Sequence, residues 1–154
     1  MRISKSNIYL NEERIPYLKT EFVKNYTKEK QLDSPKKIAQ CVKDIWKLDI
    51  LPEEYAYVIA LNAKCKPVTF FEVSHGSDTE AVMSPKNILT RVLLTGCPNI
   101  VLIHSHPSGD TNPSQADVKL TKRIKEACDI IGIKLLDHII VGDNYYSFME
   151  HNVL

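Results

Sequence analysis

IVLIHSHPSGDTNPSQAD, residues 100–117, runs an apolar segment into two histidines one position apart, then a Pro-, Ser-, Gly- and Asn-rich turn, then Ser-x-x-Asp. Side chains alternate faces along a strand, so His104 and His106 point the same way and Ser105 points oppositely. Their Cα atoms sit roughly 6.5–7 Å apart, which lets both imidazoles reach one metal ion at about 2.0–2.1 Å. Ser114 is the expected N-cap of the next helix, and SQAD has the form of a capping box. Asp117 then falls in the first helical turn, where the helix dipole favours a carboxylate. A short loop makes strand end and helix start neighbours, so His104, His106 and Asp117 form a candidate three-ligand set. Three protein ligands leave zinc a position for water, as in catalytic sites, and the bound water's pKa falls to about 7. A nearby carboxylate then has a proton to take and a leaving amine to receive it.

Each element alone has a plainer explanation. A single strand histidine is commonly structural, and SQAD by itself is an ordinary helix cap. In this order, however, a polar pair ends a buried strand and needs partners, and a metal supplies them.

Working outward, Ser34-Pro35 opens a helix as N-cap and first helical residue, with Ile38, Cys41, Val42, Ile45 and Trp46 as its core stripe. EYAYVIALNAKCKPVTFFEVS predicts two strands with a turn around residues 62–67. Ser84-Pro85 starts a second helix whose apolar face is Ile88, Leu89, Val92 and Leu93, ended by Gly96. NIVLIHSH is a strand buried on both faces. A helix from about Gln115 to Ile131 turns Val118, Ile124, Ala127, Cys128 and Ile131 inward, with Gly132 as C-cap. A hairpin turning at Gly142, Asp143 and Asn144 ends the chain. Residues 1–33 show no clear period and are expected to form an extended arm or edge hairpin, with the main domain at 34–154. Strands and helices mix throughout, which predicts an α/β sandwich around a mixed sheet.

The 154 residues suit one domain, and 44% hydrophobic with 25% charged residues is an ordinary globular composition. A net charge of +1 carries no overall basic excess, so nucleic acid is disfavoured as a partner though a local patch is left open. The N-terminus lacks the apolar core of a signal peptide, and no apolar run nears the roughly 18 residues of a membrane helix. A cytoplasmic protein with no membrane partner is expected. Cys41, Cys65, Cys97 and Cys128 form no C-x-x-C pair and are expected as reduced thiols, mainly core filler.

The spacing His104-x-His106, seven residues, Ser114-x-x-Asp117 resembles the JAMM (MPN+) metalloprotease motif. The wider HSHPSGDTNPSQAD and GIKLLDHIIVGDNYYSF are similar to the bacterial RadC branch, over roughly residues 34–148. The resemblance implies a cytidine-deaminase-like α/β/α sandwich, the JAMM/MPN fold, with a mixed β-sheet and one catalytic Zn2+. It assigns His104, His106 and Asp117 as ligands and Ser114 as a donor to the oxyanion of the tetrahedral intermediate. The Ser114 hydroxyl cannot fully serve as cap and as donor at once. The family also needs an upstream glutamate as general base. Glu72 in TFFEVSHG is the expected one, on a strand before the histidine strand, with Glu53, Glu54 and Glu80 as alternatives. RadC relatives usually read His-Asn-His where this chain has Ser105 in the middle. Longer RadC proteins carry a helix-hairpin-helix DNA-binding region ahead of this domain. Only about 33 residues precede it in this sequence, so a DNA-repair role is not expected to carry over. His138 in LLDHIIVG matches a recurrent feature of the branch and is expected as a structural strand histidine, His75 as a surface turn residue.

The leading expectation is a zinc-dependent hydrolase acting on a peptide or isopeptide substrate. A deaminase is disfavoured, since H-x-E and P-C-x-x-C are absent, and a serine hydrolase lacks its G-x-S-x-G elbow. The alternatives are a non-catalytic MPN scaffold and a DNA-associated accessory protein. An extended N-terminal arm would suit homodimer contacts or another partner.

Overall fold

The computed structural model describes residues 1–29, 31–76 and 83–154; Glu80, one of the alternative bases, lies outside them. The elements are β1 (Arg2–Leu10), β2 (Pro16–Asn25), α1 (Pro35–Trp46), β3 (Tyr55–Leu61), β4 (Pro67–His75), α2 (Pro85–Leu93), β5 (Asn99–Ser105), α3 (Gln115–Ile131), β6 (Lys134–Val141) and β7 (Tyr145–Ser147). Seven strands form one sheet in the order β2-β1-β4-β3-β5-β6-β7. The β1/β4 and β5/β6 pairs are parallel and the rest antiparallel, giving the expected mixed sheet. Residues 2–25 form a hairpin that widens this sheet, and β2 is its exposed edge.

Helices cover both faces. α1 packs over Ile3, Tyr57, Ile59, Phe70, Val101 and Ile103, while α2 and α3 pack over Val58, Phe71, Ile100 and Leu102. Burying each large apolar side chain contributes roughly 1.5–3 kcal/mol, so strand alternation dictates the α/β/α layering. Both Ser-Pro helix starts form as expected. Ser34 Oγ accepts the Lys37 N–H and Ser84 Oγ accepts the Asn87 N–H. Among the described residues no helix is long and apolar enough to cross a membrane.

Three details differ from the sequence expectation. On α3, Val118 and Ile131 face solvent and the buried stripe is Asp117, Thr121, Ile124 and Cys128. The helix is rotated to carry two polar residues inward at its start, because partners wait for them there. On α2, Leu93 is exposed while Ile88 and Val92 carry the packing. Cys65 is exposed in the β3–β4 turn with φ of 56°, whereas Cys41, Cys97 and Cys128 are buried.

Candidate metal centre

Strand β5 ends at Ser105, and His106 follows with its backbone N–H still bonded to the Val141 carbonyl at 2.8 Å. That bond keeps the strand direction for one more residue, so both histidines project from the α2/α3 face. The next residues fold on themselves. Gly109 N–H bonds the His106 carbonyl, and Asp110 Oδ1 accepts from the Asn112 backbone and side chain. This turn delivers Ser114 as N-cap of α3, with the full capping box present.

Asp117 divides its two oxygens. Oδ2 accepts from the Ser114 backbone N–H and hydroxyl, both at 2.7 Å, while Oδ1 lies 3.2 Å from His104 Nε2. His104 Nε2 and His106 Nε2 are 2.9 Å apart, and the donor atoms of all three residues fall within 4.8 Å of one another. His106 Nδ1 faces the Asp110 carbonyl at 2.7 Å and must donate to it, so in the neutral ring Nε2 is the lone pair directed into the cluster. Two imidazole nitrogens and a carboxylate converging this closely need a proton or a metal cation among them. The electrostatics agree. Burial pushes the Asp117 carboxyl up, but hydrogen bonding to His104 and His106 outweighs it and holds the group far below the usual range. His106 is raised, first by Asp117 beside it and against the effect of burial. The two shifts are reciprocal, each caused by the other group, and a His2Asp donor set suits zinc.

The cluster floors a cavity of about 440 Å³ lined also by Glu54, Met83, Pro107, Ser108, Ser114 and Leu120. The sequence expectation for the base needs correction here. Glu72 sits on the opposite side of the sheet, bonded to Lys5 Nζ at 2.7 Å, Tyr57 Oη at 3.0 Å and His75 Nδ1 at 2.9 Å. Its cross-strand partner is Tyr57, which packs under α1, and β3 lies between β4 and β5. Among the described residues, the glutamate that lines the cavity with the histidines is Glu54. It precedes β3 by one residue, and Ala56, two residues on, pairs directly with His104. The two-residue strand period therefore puts Glu54 on the same side as the donor cluster, half-buried in the cavity wall. Glu53 is exposed. Ser114 lines the cavity, but its hydroxyl proton is directed at Asp117 Oδ2. His138 is fully buried behind His104 and is not among the converging donors. His75 is exposed at the end of β4.

Fold and site together define a mixed α/β sandwich with a His2Asp donor cluster at the end of one strand and the start of one helix. The RadC-like JAB domain family matches residues 32–153, and the chain belongs to it, within the JAMM/MPN superfamily. Similar curated proteins include a UPF0758 protein of Coprothermobacter proteolyticus, 42% identical over 102 residues, or 66% of this chain and 43% of that protein. A UPF0758 protein of Clostridium acetobutylicum is 39% identical over 125 residues, or 80% of this chain and 54% of that protein. The chain spans about half the length of these relatives.

Proposed function

We propose that the protein is a zinc-dependent hydrolase of amide bonds, of the peptidase or isopeptidase type. The observation that carries this reading is the convergence of three donor atoms within 4.8 Å at the floor of a cavity whose wall includes Glu54. A zinc ion held by His104, His106 and Asp117 would supply Lewis acidity, making a water acidic and a carbonyl electrophilic. Glu54 takes the proton of the attacking water and delivers it to the leaving amine nitrogen. Ser114, turned from Asp117 Oδ2 into the cavity, donates its hydroxyl to the developing oxyanion. Met83 and Leu120 give the cavity apolar walls that seat substrate and limit bulk water.

Elemental analysis beside hydrolysis of fluorogenic peptide amides and lysine-ε-linked isopeptides tests the proposal. The wild type is expected to carry near one zinc per chain, and His104→Ala with His106→Ala to carry none. Glu54→Gln is expected to keep the zinc and lose about 10²–10⁴-fold in rate. Zinc-loaded protein inert toward both substrate classes would count against the hydrolase, and a salt-dependent DNA gel shift would then favour the accessory reading.

A further inference from the structure

Two buried polar side chains stand behind the donor cluster without joining it: Thr121 on α3 and His138 on β6. Thr121 Oγ1 lies 2.6 Å from the Asp117 carbonyl oxygen and 2.6 Å from His138 Nδ1. His138 Nε2 lies 2.8 Å from His104 Nδ1. A hydroxyl has one proton and a carbonyl can only accept. The Thr121 proton therefore goes to Asp117, and its oxygen must accept from His138 Nδ1–H. His138 is fully buried, and among the described residues no ion pair reaches its ring, so with its proton on Nδ1 toward Thr121 its Nε2 is an acceptor. That nitrogen accepts from His104 Nδ1–H, which leaves His104 Nε2 as the lone pair facing Asp117 Oδ1 and His106.

We propose that Thr121 and His138 are positioning residues that dictate the tautomer of His104, aiming its lone pair into the metal site. The inference rests on the metal reading of the cluster. The reverse order fails on geometry: it takes the proton from between Thr121 Oγ1 and the Asp117 carbonyl, which would face each other bare at 2.6 Å. It would also put a proton on His104 Nε2, where the metal belongs. The His138 ring is held in place independently. It stacks on Phe148 with centroids 4.9 Å apart and planes 10° apart, and its backbone N–H donates to Asp137 Oδ1 at 2.8 Å. The same α3 residue pair ties the two ends of the arrangement together, since Asp117 supplies a ligand from its side chain and a proton acceptor from its backbone. An outer partner on a ligating histidine typically changes metal affinity about 10–100-fold.

Zinc affinity by competition with a chromogenic chelator, beside long-range proton–nitrogen NMR of the imidazoles, tests this. The unsubstituted protein is expected to carry its His138 proton on Nδ1 with or without zinc, and its His104 proton on Nδ1 when zinc is bound. Thr121→Val is expected to weaken zinc about 10–100-fold and Thr121→Ser to restore it to within a few-fold, with circular-dichroism melts confirming folded protein. His138→Phe is expected to weaken zinc at least as much. Zinc affinity unchanged in both Thr121→Val and His138→Phe, or a His138 proton found on Nε2, would overturn the proposal. The NMR result decides the order of the bonds even where a variant does not fold. Unsubstituted protein that takes up no zinc would overturn the metal reading beneath the proposal, and His138 protonated on Nδ1 in that sample would show that the bond order itself was right.

Discussion

Ser105 Oγ accepts the backbone N–H of Tyr55 at 3.0 Å, so the residue between the two histidines anchors the residue next to Glu54. The strand alternation that sends His104 and His106 toward Asp117 sends Ser105 to the other face. From there it pins the start of β3, and with it the cavity wall that carries Glu54.

Ser105→Ala is accordingly expected to lower stability by about 1 kcal/mol, as a partly buried N–H loses its acceptor. Zinc stoichiometry should stay at the wild-type value while kcat/KM falls. Ser105→Thr, which keeps the hydroxyl, should recover both. Equal kcat/KM in wild type and Ser105→Ala would show that Glu54 needs no such anchor.

Glu72 is expected to serve stability and not catalysis. Burial raises its carboxyl, but hydrogen bonds from Lys5, His75 and Tyr57 outweigh this and leave it lowered. A carboxyl lowered in the folded state contributes stability above its unfolded value, about 4.3, and that contribution fades as pH falls through the folded value. Glu72→Gln should therefore cost about 1–2 kcal/mol in urea melts at pH 7, cost progressively less as pH falls below about 4.3, and leave hydrolysis unchanged.

Two glycines separate loop packing from backbone strain. A Cβ on Gly142 would lie 2.4 Å from the Gly109 carbonyl oxygen, in the loop between His106 and Asp117. Gly142→Ala is expected to cost about 1–3 kcal/mol and to weaken zinc, because that loop must shift. Gly132, with φ of 74° and nothing within 4 Å of an added Cβ, should cost about 1 kcal/mol as Ala and leave zinc affinity alone. Chelator titration beside denaturant melts distinguishes the two.

Ser114 has a capping role and a proposed catalytic one, and substitution can part them. Ser114→Ala should lose about 1 kcal/mol of stability through the cap. Ser114→Asn, a good N-cap without a hydroxyl, should regain the stability but not the turnover. Recovery of kcat in Ser114→Asn would remove Ser114 from the oxyanion role.

Much of this was legible in local pattern. Strand parity put His104 and His106 on one side, and SQAD announced both the helix start and the third converging donor. The Ser-Pro pairs marked two helix starts for the same reason, since a cap and a fixed φ act within one turn. What stayed hidden depends on contacts between distant segments. Glu72 and Glu54 cannot be told apart without knowing which strand pairs with β5 and in which register, and β3/β4 carries register shifts at Ala56/Tyr57 and Ala60/Leu61. The inward turn of Thr121 was invisible because apolar periodicity, which suggested Val118 and Ile131, does not count a threonine as a core residue. Its reason is His138, which comes beside it only through the parallel β5/β6 register. A signal did exist for Glu54: it stands two residues before Ala56, at the mouth of the strand that neighbours the histidines.

The divided carboxylate of Asp117 has a consequence for how this site can change over time. Because Oδ2 secures the first turn of α3 while Oδ1 faces His104, the carboxylate is held in the donor cluster by the helix start itself. An ion bound as proposed would have little left to order at this residue, since folding has already fixed it. The same economy is a constraint on inheritance: a substitution at residue 117 that removes the carboxylate from the donor cluster also frays the helix, so loss of the cluster there passes through a less stable protein.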